Sequence, residues 1–131
     1  MEPDKSSQMI LVVDDDCSIR TFVKLFLEIE GYAVLIAHDA EDAMKVYTEH
    51  QSRVALLLTD VVMPNMNGLE LADQILLREP HLPILFMSGS EDVSRGFGCV
   101  AKPFTIAGLV RRVGEVLESR SPAQIARIAA A

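Results

Sequence analysis

The chain has 131 residues, which favours one domain, and 50% of them are hydrophobic, which is enough to fill a core. The net charge of -7 argues against direct nucleic-acid binding, because that activity usually needs a basic face. No apolar run approaches the roughly 18 residues of a membrane span, and Cys17 and Cys99 lack metal-type spacing. These features predict a cytoplasmic protein with free thiols and no membrane insertion.

The first part of the chain alternates between strand and helix patterns. Met9 to Val13 is a short apolar run that ends in three aspartates, which is typical of a strand buried on both faces. Apolar residues then recur at helical spacing until Gly31, which is expected to end the helix. Tyr32 to Ile36 reads as a second strand, and Asp39 is expected to cap a helix that runs to about His50.

The same alternation continues to the end of the chain. Val54 to Thr59 predicts a third buried strand, which ends at Asp60. The segment Met63 to Gly68 has turn chemistry, and helical spacing resumes after it. Two further strands are predicted, and a last helix follows with an inward apolar stripe. These segments are Pro83 to Met87, Gly98 to Ala101, and the stripe Ile106, Leu109, Val110, Val113 and Leu117.

This alternation predicts a doubly wound parallel sheet with helices on both faces. In such sheets the functional groups gather beyond the carboxyl ends of the strands. Polar residues follow four of the five predicted strands at that end. They are Asp14 to Asp16 after the first strand, Asp60 after the third, Ser88 after the fourth and Lys102 after the fifth. The pattern therefore predicts that these residues meet at one edge of the sheet.

The predicted cluster has the chemistry of a phosphoryl-transfer site. Carboxylates held close together repel one another unless a cation joins them, and oxygen ligands suit Mg²⁺. A lysine supplies a positive charge and a serine hydroxyl supplies a hydrogen bond, and both suit a phosphoryl group. An aspartate is itself able to act as the nucleophile and form an aspartyl phosphate.

Four short motifs in order resemble the response-regulator receiver domain. The motifs are Leu11-Val12-Val13-Asp14-Asp15, the run from Leu58 to Gly68, Ser88, and Lys102-Pro103-Phe104. The resemblance covers about residues 9 to 119. It implies a flavodoxin-like sheet of five strands in the order 2-1-3-4-5. It also implies a receiver domain over residues 9–120, with tails at 1–8 and 121–131.

The resemblance also implies a role for each matching residue. Asp60 would be the phosphoacceptor, and Asp15, assisted by Asp14, would hold Mg²⁺ or Mn²⁺ together with Asp60 and the backbone carbonyl of Val62. Ser88 would supply the hydroxyl that turns toward the phosphate, and Lys102 would pair with Asp60 and then with a phosphoryl oxygen. The Lys102–Pro103 bond is a candidate cis bond.

A histidine kinase or histidine phosphotransfer protein would be the phosphoryl donor, and the output partner stays unidentified. The chain would catalyse its own phosphoryl transfer and dephosphorylation and would not act on other substrates.

Two departures from the family pattern affect the expected switch. Cys99 stands where the family usually has Tyr or Phe, and Phe97 is two residues earlier on the same expected strand face. Only thirteen residues separate Ser88 from Lys102, fewer than receivers commonly use. We therefore predict that the fourth helix of the family is missing, very short or disordered. The protein would then signal through another surface, or accept phosphate without a conventional switch.

Two alternative functions remain open at this point. Asp14-x-Asp16 resembles the start of haloacid-dehalogenase-type phosphatases, in which Asp14 and not Asp60 would be the nucleophile. The chain would otherwise be a phosphate-independent interaction module on a receiver-like scaffold. A simpler reading of the three adjacent aspartates is a helix N-cap.

Overall fold

A computed structural model describes residues 8–88, 98–101 and 105–118, with only the backbone of Ser88 and residues 98–101. The elements in chain order are β1 (Met9–Val13), α1 (Cys17–Ile29), β2 (Ala33–Ala37), α2 (Ala40–His50), β3 (Val54–Asp60), α3 (Gly68–Arg78), β4 (Ile84–Ser88), β5 (Gly98–Ala101) and α4 (Ile106–Glu118). Within these ranges, every helix is too short or too polar to span a bilayer.

The five strands form one parallel sheet in the order β2-β1-β3-β4-β5. This order confirms the predicted flavodoxin-like fold. The register brings the strand ends level, because Val13 pairs with both Ala37 and Thr59, and Asp60 pairs with Met87. The loops that leave β1 and β3 therefore start beside each other at the carboxyl edge of the sheet.

The sheet is buried on both faces by two apolar layers. Alternate residues of β1 point to opposite layers, with Leu11 and Val13 in one and Ile10 and Val12 in the other. The first layer also contains side chains of α2 and α3, and the second contains side chains of α1 and α4. Side-chain alternation explains why a fully buried strand reads as an unbroken apolar run.

Helix α1 has a defined cap at each end. The Asp16 side chain accepts hydrogen bonds from the backbone N–H groups of Ser18 at 2.8 Å and Ile19 at 3.4 Å. At the other end Gly31 has φ 100°, and Tyr32 N–H donates to the Leu27 carbonyl. This is a Schellman motif, and it confirms that Gly31 ends the helix. The two caps fix the length of α1 and hence where its first turn lies.

Helices α2 and α3 are joined at their carboxyl ends by a buried tyrosine. The Tyr47 hydroxyl donates to Glu79 Oε1 at 2.8 Å, and the Tyr47 side chain is fully buried. Burial, followed by the interaction with Glu79, raises the pKa of Tyr47 well above its usual value. Arg78 Nη1 adds a bond to Thr48 Oγ1 at 2.8 Å. These contacts join α2 to α3, the two helices that pack on the same face of the sheet.

Several predicted boundaries differ from the structure by one residue. The strands β2 and β4 each start and end one residue later than predicted, at Ala37 and Ser88, because those residues pair with neighbouring strands. The helix that the family has between its fourth and fifth strands, which we predicted to be missing, very short or disordered, would fall in residues 89–97. These lie outside the described residues, so that prediction does not concern α4. Phe97 and the side chain of Cys99 also lie outside the described residues.

Candidate functional site

Three aspartates meet at the carboxyl edge of the sheet. One carboxylate oxygen from each of Asp14, Asp15 and Asp60 lies within 4.8 Å of the other two. Asp14 is fully buried and Asp60 is 7% exposed, whereas Asp15 is open to solvent. The group therefore combines two carboxylates at the edge of the core with one at the surface, and it brings together residues from two different strand ends.

The three consecutive aspartates after β1 have separate tasks. Asp14 continues the strand, because its N–H donates to the Ala37 carbonyl at 3.2 Å. Asp14 Oδ1 accepts from the N–H of Asp16 at 2.9 Å, while the Asp16 side chain caps α1. The interpretation as a helix cap is thus correct for Asp16. Of the three consecutive aspartates, Asp14 and Asp15 are the two that join Asp60 in the cluster. Asp16 is the second acid of the Asp14-x-Asp16 pair that resembles the phosphatases, and in this structure its side chain caps a helix.

Asp60 is the last residue of β3 and is fixed on both sides. Its Oδ1 accepts from the N–H of Val62 at 3.3 Å, and its carbonyl accepts from the Thr59 hydroxyl at 2.9 Å. The next residue, Val61, donates its N–H to the Met87 carbonyl at 3.2 Å. Asp60 is therefore held by β4 as well as by its own strand, and its side chain projects at the sheet edge. The Val62 side chain beside it is 74% exposed.

The turn after Asp60 returns closely to the strand it leaves. Asn65 adopts φ 67°, a left-handed conformation that asparagine tolerates well. Gly68 N–H donates to the Val61 carbonyl at 2.8 Å, and a Cβ built on Gly68 would lie 2.0 Å from the Asp60 carbonyl oxygen. Glycine is required here by the close approach of backbone to backbone. A capping box between Asn67 and Glu70 then starts α3.

The remaining predicted site residues are described only in part. Ser88 is the last residue of β4 and pairs in register with Ala101, the last residue of β5. The Ser88 side chain, Lys102 and Pro103 lie outside the described residues. Sequence reasoning did not anticipate Arg20, whose Nη1 donates to the Asp14 carbonyl at 2.7 Å. In the sequence, this contact is indicated only by a positively charged side chain about one turn after the start of the helix that follows the acidic run.

The donor atoms of the cluster fit a hard divalent cation. All three side chains offer carboxylate oxygens, which Mg²⁺ and Mn²⁺ prefer over nitrogen or sulfur ligands. The separation of less than 4.8 Å matches the spread of ligand atoms around one such ion. Asp14, Asp15 and Asp60 are therefore suited to hold a metal ion, with Asp15 on the solvent side.

A cavity of about 740 Å³ lies between α2 and the turn that precedes α3. Its walls include Met44 and Lys45 on α2 and Pro64 and Met66 on the turn, but none of the three clustered aspartates. The acidic cluster and this cavity are therefore separate features, and Asp15 is the member of the cluster that is exposed to solvent.

Comparison with known proteins gives the family of this chain. Residues 10–114 match the response regulator receiver domain family. The chain is 34% identical over 124 residues to response regulator MprA of Mycobacterium bovis strain BCG, a match that covers 88% of this chain and 53% of that protein. A match to MprA of Mycobacterium avium is also 34% identical and covers 86% of this chain and 52% of that one. The chain thus spans about half the length of these relatives.

Solved structures agree with the sequence relatives. The fold is similar to a response regulator receiver domain protein from Clostridium thermocellum, with a TM-score of 0.78, 26% identity, and coverage of 85% of this chain and 94% of that one. It is also similar to the receiver domain of the hybrid histidine kinase CckA, with a TM-score of 0.76, 33% identity, and coverage of 83% and 98%. Sequence, fold and acidic edge agree, and this chain belongs to the response regulator receiver domain family.

Proposed function

We propose that the chain receives a phosphoryl group on Asp60 and relays it as a change in shape or binding. The observation that supports this proposal most directly is the meeting of Asp14, Asp15 and Asp60 at the carboxyl edge of the sheet in a receiver fold. In the reaction, a carboxylate oxygen of Asp60 forms a bond to phosphorus. The bond between phosphorus and the donor breaks at the same time, and the leaving group keeps the electron pair.

The acidic cluster would hold Mg²⁺ or Mn²⁺ through Asp14, Asp15, Asp60 and the backbone carbonyl of Val62. Bound there, a divalent cation would offset the negative charge of the carboxylates and of the phosphoryl oxygens. The close approach of three oxygen ligands supports this assignment. Asp14 is the buried ligand and Asp15 is the exposed one. Substitution of Asp15 should therefore disturb the core less than substitution of Asp14.

We expect Asp15→Ala to raise the Kd for Mg²⁺ by about 10- to 100-fold, because one charged ligand is lost. Isothermal titration with MgCl₂ measures this Kd. Asp16→Asn is the matched control, since asparagine also caps helices and Asp16 lies outside the cluster. Wild-type affinity in Asp15→Ala, or an equal loss in Asp16→Asn, would contradict the assignment.

Ser88 and Lys102 complete the proposed site. Ser88 would donate its hydroxyl to the phosphoryl group, and Lys102 would pair with Asp60 and then with a phosphoryl oxygen. The register of Ser88 with Ala101 supports this pair of roles, because Lys102 directly follows Ala101. We assign the receiver to residues 9–120, with tails at 1–8 and 121–131. We also place the protein in the cytoplasm, where histidine kinases present their phosphohistidine.

A phosphohistidine on a histidine kinase or histidine phosphotransfer protein would be the natural donor. Such a donor needs a contact surface near Asp60, and α1 starts at the same sheet edge. Three large apolar side chains of α1 are exposed. They are Phe22, Leu25 and Ile29, at 43%, 52% and 64% exposure. An apolar strip of this kind suits a helical partner protein.

We expect Leu25→Asp to slow phosphoryl transfer from a protein donor by about tenfold while leaving labelling by acetyl phosphate unchanged. The small donor needs no docking surface, so it isolates chemistry from recognition. Leu77→Asp on α3 is the matched control, because Leu77 is 85% exposed at the far end of its helix. Equal rates for both variants and the wild type would show that the strip on α1 does not meet the donor.

The proposed function is tested by intact mass spectrometry after incubation with Mg²⁺ and acetyl phosphate. We expect a gain of one phosphoryl group that survives acid and is lost in base, as for an acyl phosphate. Rapid turnover of a phosphate ester by the purified protein would instead support the phosphatase-like alternative. Failure to gain a phosphoryl group from acetyl phosphate and from a phosphohistidine protein would favour the phosphate-independent module.

A further inference from the structure

We propose that Arg20 is a positioning residue that holds the acidic loop after β1 in its metal-binding shape. The inference rests on the proposed function, because it assigns a task to that loop. Arg20 lies in the second turn of α1, six residues after Asp14. Its Nη1 donates to the main-chain carbonyl of Asp14 at 2.7 Å, so the helix reaches back to the residue at which the loop starts.

The bond from Arg20 acts together with two other hydrogen bonds that hold Asp14. The Asp14 N–H donates to Ala37, the Asp14 carbonyl accepts from Arg20, and Asp14 Oδ1 accepts from the N–H of Asp16. The first contact anchors Asp14 to β2, the second to α1 and the third to its own loop. Main chain and side chain are both held, so the buried carboxylate keeps one direction.

The contact at the carbonyl is the strongest of the three by its chemistry. A hydrogen bond from a guanidinium is roughly twice as strong as one between neutral groups, and the 2.7 Å length agrees with that class. The adjacent N-cap strengthens the effect, because Asp16 ties the end of the same loop to the first turn of α1. Arg20 and Asp16 thus attach both ends of the acidic loop to one rigid helix.

The positive charge of Arg20, whose guanidinium contacts the Asp14 carbonyl, has a second effect that must be separated from positioning. Arg20 offsets part of the repulsion in the cluster, and a bound cation would be repelled by it. Lys24 provides the control, since it lies one turn further along α1 and pairs with Glu28 at 3.0 Å. Lys24→Met and Arg20→Met remove the same charge from the same helix, but only Arg20→Met removes a bond to the loop.

The test compares Arg20→Met, Arg20→Lys and Lys24→Met in the full chain. Amide hydrogen exchange is followed at Asp16 in metal-free protein, because that N–H is bonded to the Asp14 side chain. We expect exchange at Asp16 to be about tenfold faster in Arg20→Met, close to wild type in Lys24→Met, and largely restored in Arg20→Lys. Unchanged protection in β1 and in the middle of α1 shows that each variant is folded.

The second measurement is the rate of labelling by acetyl phosphate at saturating Mg²⁺, where differences in cation affinity no longer matter. We expect this rate to fall about tenfold in Arg20→Met and to recover in Arg20→Lys. Wild-type exchange at Asp16 in Arg20→Met would overturn the proposal, and so would an equal effect of Lys24→Met. The exchange measurement uses neither metal nor donor, so its result stands apart from whether Asp60 accepts a phosphoryl group.

Discussion

Asp60→Asn is expected to reduce phosphoryl labelling by acetyl phosphate at least about 100-fold, because an amide oxygen is a poor nucleophile. The substitution keeps the size of the side chain, and the asparagine oxygen is still able to accept the hydrogen bond from Val62 N–H. Asp60 is 7% exposed beside two other carboxylates, so loss of its charge relieves repulsion. Loss of the proposed pair between Lys102 and Asp60 acts in the opposite direction, so the Tm of the metal-free variant should stay close to that of wild type.

The control for this result is Asp16→Asn, which makes the same chemical change in the same acidic region. Asp16 caps α1 through Ser18 and Ile19, and asparagine performs that task equally well. We expect Asp16→Asn to be labelled at close to the wild-type rate. Labelling of Asp60→Asn at the wild-type rate would place the phosphoacceptor elsewhere, with Asp14 as the next residue to test.

The strands could be predicted from sequence because each is a short apolar run between polar segments. The first strand was predicted to the residue, since Met9–Val13 is bounded by polar residues on both sides. The ends of β2 and β4 could not be placed so closely. Ala37 and Ser88 extend these strands through main-chain pairing with β1 and β5. This pairing could not be predicted from the side chain of either residue.

The meeting of the acidic residues was also predictable, because parallel strands deliver their carboxyl ends to one edge. Asp14, Asp15 and Asp60 lie together as that rule requires. The rule does not say which of three consecutive aspartates points into the cluster. That choice depends on the start of α1, where Asp16 turns back to cap the helix.

Contacts that depend on a close approach of backbones were missed for a physical reason. Gly68 reads in the sequence as a residue that punctuates a turn, and a turn of several residues leaves the final distance open. In the structure its Cα faces the Asp60 carbonyl, which belongs to the strand that the turn has just left. The hydrogen bond from Gly68 N–H to the Val61 carbonyl and the packing of α3 against β3 set that distance, and neither can be read from the turn residues alone.

Gly68→Ala is expected to lower the free energy of unfolding by about 3 kcal/mol, at the upper end of the usual range for overpacking. The added methyl group would lie 2.0 Å from the Asp60 carbonyl oxygen and 3.1 Å from the Cα of Val61. These are main-chain atoms held by the sheet, so relief requires α3 or the end of β3 to shift. Urea denaturation of the two proteins measures the difference.

Gly114→Ala on α4 is the matched control. Its nearest neighbour would be the Tyr32 hydroxyl oxygen at 4.0 Å, an ordinary contact distance. Replacing a glycine in a helix interior by alanine should stabilise the protein by up to about 1 kcal/mol. The two substitutions thus add the same methyl group and should change stability in opposite directions.

The same clash should also affect the chemistry at Asp60. Any shift that relieves it moves the residue whose side chain completes the acidic cluster, so labelling by acetyl phosphate should slow in Gly68→Ala even where the protein is fully folded. Labelling rates are compared at a temperature well below both unfolding transitions. If Gly68→Ala matches the wild type in stability and labelling, the turn yields easily, and the close approach of Gly68 does not position Asp60.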